Sequence, residues 1–122
     1  MQESPLFSKL HDFALWLLPL TTKFPREHRL VMAAQLQQCL FALQRHLFDA
    51  SHGVDVQASL RRADARLAQL RSLLRLCVGL TLVSPRQLEH AAQKTAELGR
   101  LLGGWQRSTA ISSATSATAS LA

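Results

Sequence analysis

The chain contains no tyrosine, and Phe and Trp together reach only 6% of it. That leaves too few ring faces for base stacking to dominate any nucleic-acid binding. Its two cysteines, Cys39 and Cys77, sit in apolar helical settings without CxxC spacing. They read as small core residues in a reducing compartment, not as a disulfide framework or zinc ligands. His11, His28, His46, His52 and His90 never form HxxxH, and no His, Cys and carboxylate set has metal-ligand spacing. No metal or other cofactor is expected. No segment alternates with period 2, so strands are not expected, and no glycine-rich phosphate loop follows a strand. No apolar run approaches the roughly 18 residues a membrane span needs. The stretch from Phe13 to Leu20 follows Asp12 and is interrupted by Pro19, which argues against a secretory leader. The adjacent pairs Glu27–His28 and Glu89–His90 fall on different helix faces, and Ser84 is placed as a cap, not a nucleophile. These absences exclude a catalytic site, so a non-enzymatic, cytoplasmic protein without membrane contact is expected.

What remains is a strongly helical pattern. At 122 residues, 48% of them hydrophobic, the chain can bury one core but not two. Ser4–Pro5 predicts the start of a first helix carrying Leu6, Leu10, Phe13, Leu17 and Leu20 inward, with Pro19 loosening its last turn. Pro25 marks the start of a second, whose seam is Ala33, Leu36, Leu40, Leu43, Leu47 and Ala50, with Phe41 and Phe48 beside it and Gly53 as its stop. Asp55 is expected to cap a third helix that buries Leu60, Ala63, Leu67, Leu70, Leu74 and Cys77. Ser84, Pro85 and Gln87 compose a capping box opening a fourth, with Leu88, Ala91, Thr95, Leu98, Leu102 and Trp105 as its seam. The very short link from Thr81 to Val83 makes the third and fourth helices antiparallel neighbours. The predicted fold is all-α: an antiparallel up-and-down four-helix bundle over residues 1–108. The Ser/Thr/Ala segment 109–122 lacks charge and periodicity and is expected to lie outside it without fixed structure.

Two surface features point beyond a monomer. Leu73, Leu76 and Leu80 fall roughly a right angle away from the third helix's seam. Either a broad core covers them or they meet a second copy of the chain. Gly99 and Gly103 lie four apart on the fourth helix, where each glycine costs roughly 1 kcal/mol relative to Ala. Close approach of another backbone, from the first helix or from a neighbouring subunit, would compensate.

Lys and Arg outnumber Asp and Glu by 14 to 8, a formal net charge of +6. Eleven of the basic residues are arginines, whose planar fork suits phosphate and carboxylate. On the third helix Arg61, Arg71 and Arg75 share a face with small residues, and Arg62 and Arg66 extend that band. Arg86, Lys94, Arg100 and Arg107 lie on the polar arc of the fourth helix. Lys23, Arg26 and Arg29 gather at the start of the second. Pairs such as Lys94 with Glu97, or Arg61 and Arg62 with Asp64, contribute about 0.2–0.5 kcal/mol each and cannot absorb the excess. The surface is therefore a candidate polyanion site.

Three segments carry a family resemblance. They are Phe24–Pro25–Arg26–Glu27–His28–Arg29, the run from Leu67 to Leu76, and Ser84–Pro85–Arg86–Gln87 through Glu97–Leu98–Gly99–Arg100–Leu101–Leu102–Gly103–Gly104–Trp105. Across about Phe13 to Ser108 the chain resembles the accessory variability determinant (Avd) family, within the four-helix group that includes the 23S rRNA intervening-sequence proteins. The resemblance implies a homopentameric barrel of four-helix protomers, and as partners the reverse transcriptase of a diversity-generating retroelement together with RNA and DNA. Its role would be to hold polymerase and template RNA together during mutagenic retrohoming. The most family-like basic positions are Arg71, Arg75 and Arg100. The alternative is a structural or protein-interaction oligomer of the intervening-sequence type.

Overall fold

The computed structural model describes residues 4–121, with side chains from Pro5 to Ser112. The described residues are all helical apart from short turns. Helix α1 spans Ser4–Thr22. Helix α2 occupies residues 26–51 in three contiguous pieces: Arg26–His28, a π turn over Arg29–Ala33, and Ala34–Ser51. Helix α3 spans Val56–Gly79 and α4 spans Pro85–Leu121. Each helix packs on its two neighbours in the ring α1–α2–α3–α4, and the most extensive seam is that of α2 on α3. This is the up-and-down four-helix bundle that the apolar spacing predicts.

The predicted seams of α2 and α3 are buried throughout: Ala33, Leu36, Leu40, Leu43, Leu47 and Ala50 against Leu60, Ala63, Leu67, Leu70, Leu74 and Cys77. On α4, Ala91, Thr95, Leu98 and Leu102 are buried, while Leu88 and Trp105 close the margins of the core. Buried Thr95 satisfies its hydroxyl by donating to the Ala91 carbonyl at 2.8 Å. On α1, Leu6, Leu10, Phe13 and Leu17 point inward, but Leu20 is only partly buried and Thr21 takes the last inward position. Thr21 tolerates that burial because its hydroxyl donates to Leu18 O at 2.7 Å and accepts from Gln37 Nε2 at 2.9 Å. Helix α1 continues through Pro19 to Thr22, whose hydroxyl donates to the Pro19 carbonyl at 2.7 Å.

The turns show how the chain reverses. After α2, Gly53 at φ +79° closes a Schellman motif, with Gly53 N donating to Ala50 O and Val54 N to Asp49 O. After α3 the same pair of hydrogen bonds recurs, Thr81 N to Val78 O and Leu82 N to Cys77 O. Here the left-handed position is filled by Thr81 at φ +60°, a conformation that costs a β-branched residue about 1–2 kcal/mol. Asp55 does precede α3, but at φ 42° its side chain makes no cap. The first turn is tied instead by Ser59, whose hydroxyl donates to Val54 O at 2.8 Å. The capping box of α4 forms as predicted: Gln87 N donates to Ser84 Oγ at 3.0 Å, and Ser84 N to Gln87 Oε1 at 2.9 Å.

The boundary expected near Ser108 is not marked by a break, because α4 runs on to Leu121. Ser, Thr and Ala bring no glycine or proline to end a helix, and Ala favours it.

Candidate nucleic-acid interface

Every basic residue singled out from the sequence is exposed: Lys23, Arg26, Arg29, Arg61, Arg62, Arg66, Arg71, Arg75, Arg86, Lys94, Arg100 and Arg107. The core seam of α3 divides its arginines into two edges. Toward α4, Arg71 and Arg75 overhang a shallow groove of about 100 Å³ floored by Leu74, Ala91 and Thr95. Arg61 lines a separate cleft with Gln57 of α3 and Gln106 and Ala110 of α4. Toward α2, Arg62 and Arg66 flank His46 together with Arg45. The band that looks continuous on an isolated helix is thus split by the helices packed on either side.

Little of this charge is neutralised within the protomer. Among the described residues the one ion pair is Lys9 Nζ with Glu97 Oε2 at 3.7 Å. Glu97 therefore joins α4 to α1, and the expected pairing with Lys94 does not form. Asp64 likewise pairs with neither Arg61 nor Arg62. Two arginines are positioned by neutral acceptors: Arg29 Nε donates to the Phe24 carbonyl at 3.0 Å, and Arg66 Nη1 to Gln69 Oε1 at 2.7 Å. A guanidinium fixed by an uncharged partner keeps its whole charge for a ligand.

Arg45 completes the α2 edge, and the spacing along a single helix does not point to it. It lies opposite Arg66 across the α2–α3 seam, a pairing that exists only once the helices have docked. His46 Nδ1 is buried with no hydrogen-bond partner among the described residues. Burial first, and then the guanidiniums of Arg45, Arg66 and Arg62, hold this imidazole below its ordinary range against the opposing pull of Asp49. Burial pushes the Cys39 and Cys77 thiols up, Arg66 partly offsetting this at Cys39, so both favour the protonated, unreactive form.

The apolar surface is also clear. Leu73 is half-buried against the core, whereas Leu76 is 52% exposed and Leu80 39% exposed. The core of the protomer does not cover this stripe. At the same end of the bundle the π turn of α2 presents Leu30, 89% exposed, and Val31, 60% exposed. Gly99 and Gly103 are not approached by α1: a methyl at Gly99 would meet Leu67 Cδ2 at 3.7 Å, and one at Gly103 would meet Arg107 Nη1 at 3.3 Å. Inside the protomer these glycines face side chains, and the intrachain explanation for them fails.

No group of three or more His, Cys, Asp or Glu among the described residues could hold a metal ion, and no described helix is long and apolar enough to cross a membrane. Fold and surface define a strand-free helical bundle whose basic side chains stay exposed and almost entirely unpaired among the described residues. The bAvd-like family model matches residues 6–109, and the chain belongs to that family. No curated protein matches the sequence.

Proposed function

We propose that this chain is the non-enzymatic accessory protein of a diversity-generating retroelement, acting in the cytoplasm to bind template RNA or cDNA and the partner reverse transcriptase. The observation that carries the reading is the exposed, unneutralised basic surface: twelve basic side chains on three helices and the α1–α2 turn, set against a single ion pair among the described residues. Membership of the bAvd-like family supports the accessory role. A surface of this kind attracts phosphate without reading sequence, so specificity would come from the polymerase and from RNA shape.

Self-association into a pentameric barrel would multiply the field. The exposed Leu76 and Leu80, with Leu73 at their margin, are the proposed contact, and Gly99 and Gly103 a second one where helices from two subunits come close. The test is charge reversal of Arg71 and Arg75 to Glu, read by the affinity for a labelled single-stranded RNA and by capture of the purified polymerase. Because both residues are exposed, the bundle should keep its helical signal while RNA or polymerase binding weakens. If both partners bind the folded variant as before, the α4-side edge is not part of the interface. If the wild-type chain binds neither, the accessory reading fails and an intervening-sequence-type structural oligomer is favoured.

A further inference from the structure

Between α2 and α3 lies a groove of about 420 Å³, within the size range of small-molecule sites. Gln35, Gln38, Phe41 and Arg45 of α2 line one wall, and Arg66 and Gln69 of α3 the other, with Cys39 and Ala42 also lining it. Its lining offers three carboxamides, two guanidiniums and one half-exposed aromatic ring, with no carboxylate. The groove is also internally ordered. Cys39 Sγ donates to the Arg66 carbonyl at 3.1 Å and approaches Gln69 Oε1 at 3.7 Å. The same Gln69 oxygen accepts from Arg66 Nη1 at 2.7 Å. Gln69 thus spends its acceptor on holding Arg66 and keeps its amide N–H donors free. Arg66 is held in place without losing its charge. Beside the groove, His46 leaves a buried ring nitrogen without a partner in a field of three guanidiniums, relieved only by Asp49.

We propose that this groove binds a nucleoside phosphate, with the phosphate between Arg45 and Arg66, the base against Phe41, and the glutamine amides along the base edges. The proposal rests on the nucleic-acid reading above for its preferred source, one nucleotide of a single strand, but its chemistry would serve a free nucleotide equally. Each part has a physical reason. A paired guanidinium site matches a tetrahedral anion with several acceptor oxygens. Phe41 is 47% exposed, and an exposed ring gains by stacking on a base of any identity. Carboxamides supply both donors and acceptors, so they bind base edges without charge.

The test uses the full chain, a 5′-labelled oligonucleotide read by fluorescence anisotropy, and AMP or TMP read by chemical-shift changes at His46. Arg45→Gln with Arg66→Gln is compared with Arg26→Gln with Arg29→Gln, which removes the same charge elsewhere, and circular dichroism checks that both fold. The expected result is saturable mononucleotide binding that perturbs His46 and that the groove variant weakens roughly tenfold or more, several-fold beyond any loss in the control. With a strand, the groove variant should also lose more affinity than the control, and Phe41→Ala should weaken binding further. Mononucleotide binding without strand binding would keep the groove, assign it to free nucleotide, and remove the nucleic-acid reading. Strand binding that the two double variants weaken equally, with no saturable effect of mononucleotide on His46, would overturn the groove and leave the nucleic-acid reading standing. Absence of both would overturn both.

Discussion

Replacing Gly99 and Gly103 with alanine separates what the protomer needs from what an assembly needs. Within one chain the new methyl groups meet little: Leu67 Cδ2 at 3.7 Å is an ordinary contact, and Arg107 Nη1 at 3.3 Å is the mobile end of a long side chain that can withdraw by a few tenths of an ångström. Against that small cost stands the helix propensity of alanine, worth about 0.5–1 kcal/mol per site. The double variant should therefore stabilise the isolated protomer by about 1–2 kcal/mol, a rise of several degrees in Tm. If helices from two subunits cross at these glycines, the same methyl groups would hold the backbones apart. Light scattering should then show a smaller assembly from a chain that is intrinsically more stable. Denaturation must be followed across protein concentrations, because association adds its own stabilisation. A protomer destabilised by the double substitution would refute the packing described here. An assembly of unchanged mass would remove the glycines from the interface.

Three further outcomes follow from the same structure. Thr81→Gly should raise stability by about 0.5–1 kcal/mol in urea denaturation, since Thr81 holds a left-handed C-terminal position whose strain exceeds the extra unfolded-state entropy of glycine; a loss would mean that the Thr81 hydroxyl matters more than its backbone. His46 titrates below its ordinary value of 6.5 in the folded chain, so the unfolded chain binds more protons between the two values, and stability falls as pH drops below 6.5. His46→Gln should flatten that fall, and equal slopes for the two proteins would contradict the assignment. Leu76→Lys with Leu80→Lys should reduce the assembly toward single chains without loss of helicity, because both side chains are substantially exposed in the protomer; an unaltered mass would reject the leucine stripe as a contact.

Much of the bundle could be read from spacing alone. The α2 and α3 seams are buried at every predicted position, because regular helices place every third or fourth residue on one side. Gly53 and the Ser84–Gln87 box also behave as their local chemistry dictates. The departures lie where helices meet or end. Thr81 adopts the conformation a glycine usually supplies, because the hydrogen bonds of the α3–α4 reversal require it. The π turn over Arg29–Ala33 inserts extra backbone into α2, and a fixed projection of 100° per residue cannot register it. Arg45 gains its meaning only from Arg66 across the seam. The division of the α3 arginines into two edges depends on which neighbours dock on either side, and that is not encoded in the pattern of a single helix.

The most direct measurement of the central claim is the affinity of the chain for single-stranded RNA as a function of salt. An interface built from unpaired guanidiniums should give a straight log–log plot, each neutralised phosphate contributing about −0.7 to the slope, so that several contacts yield a steep loss of binding. A flat plot, or no binding at low salt, would contradict it.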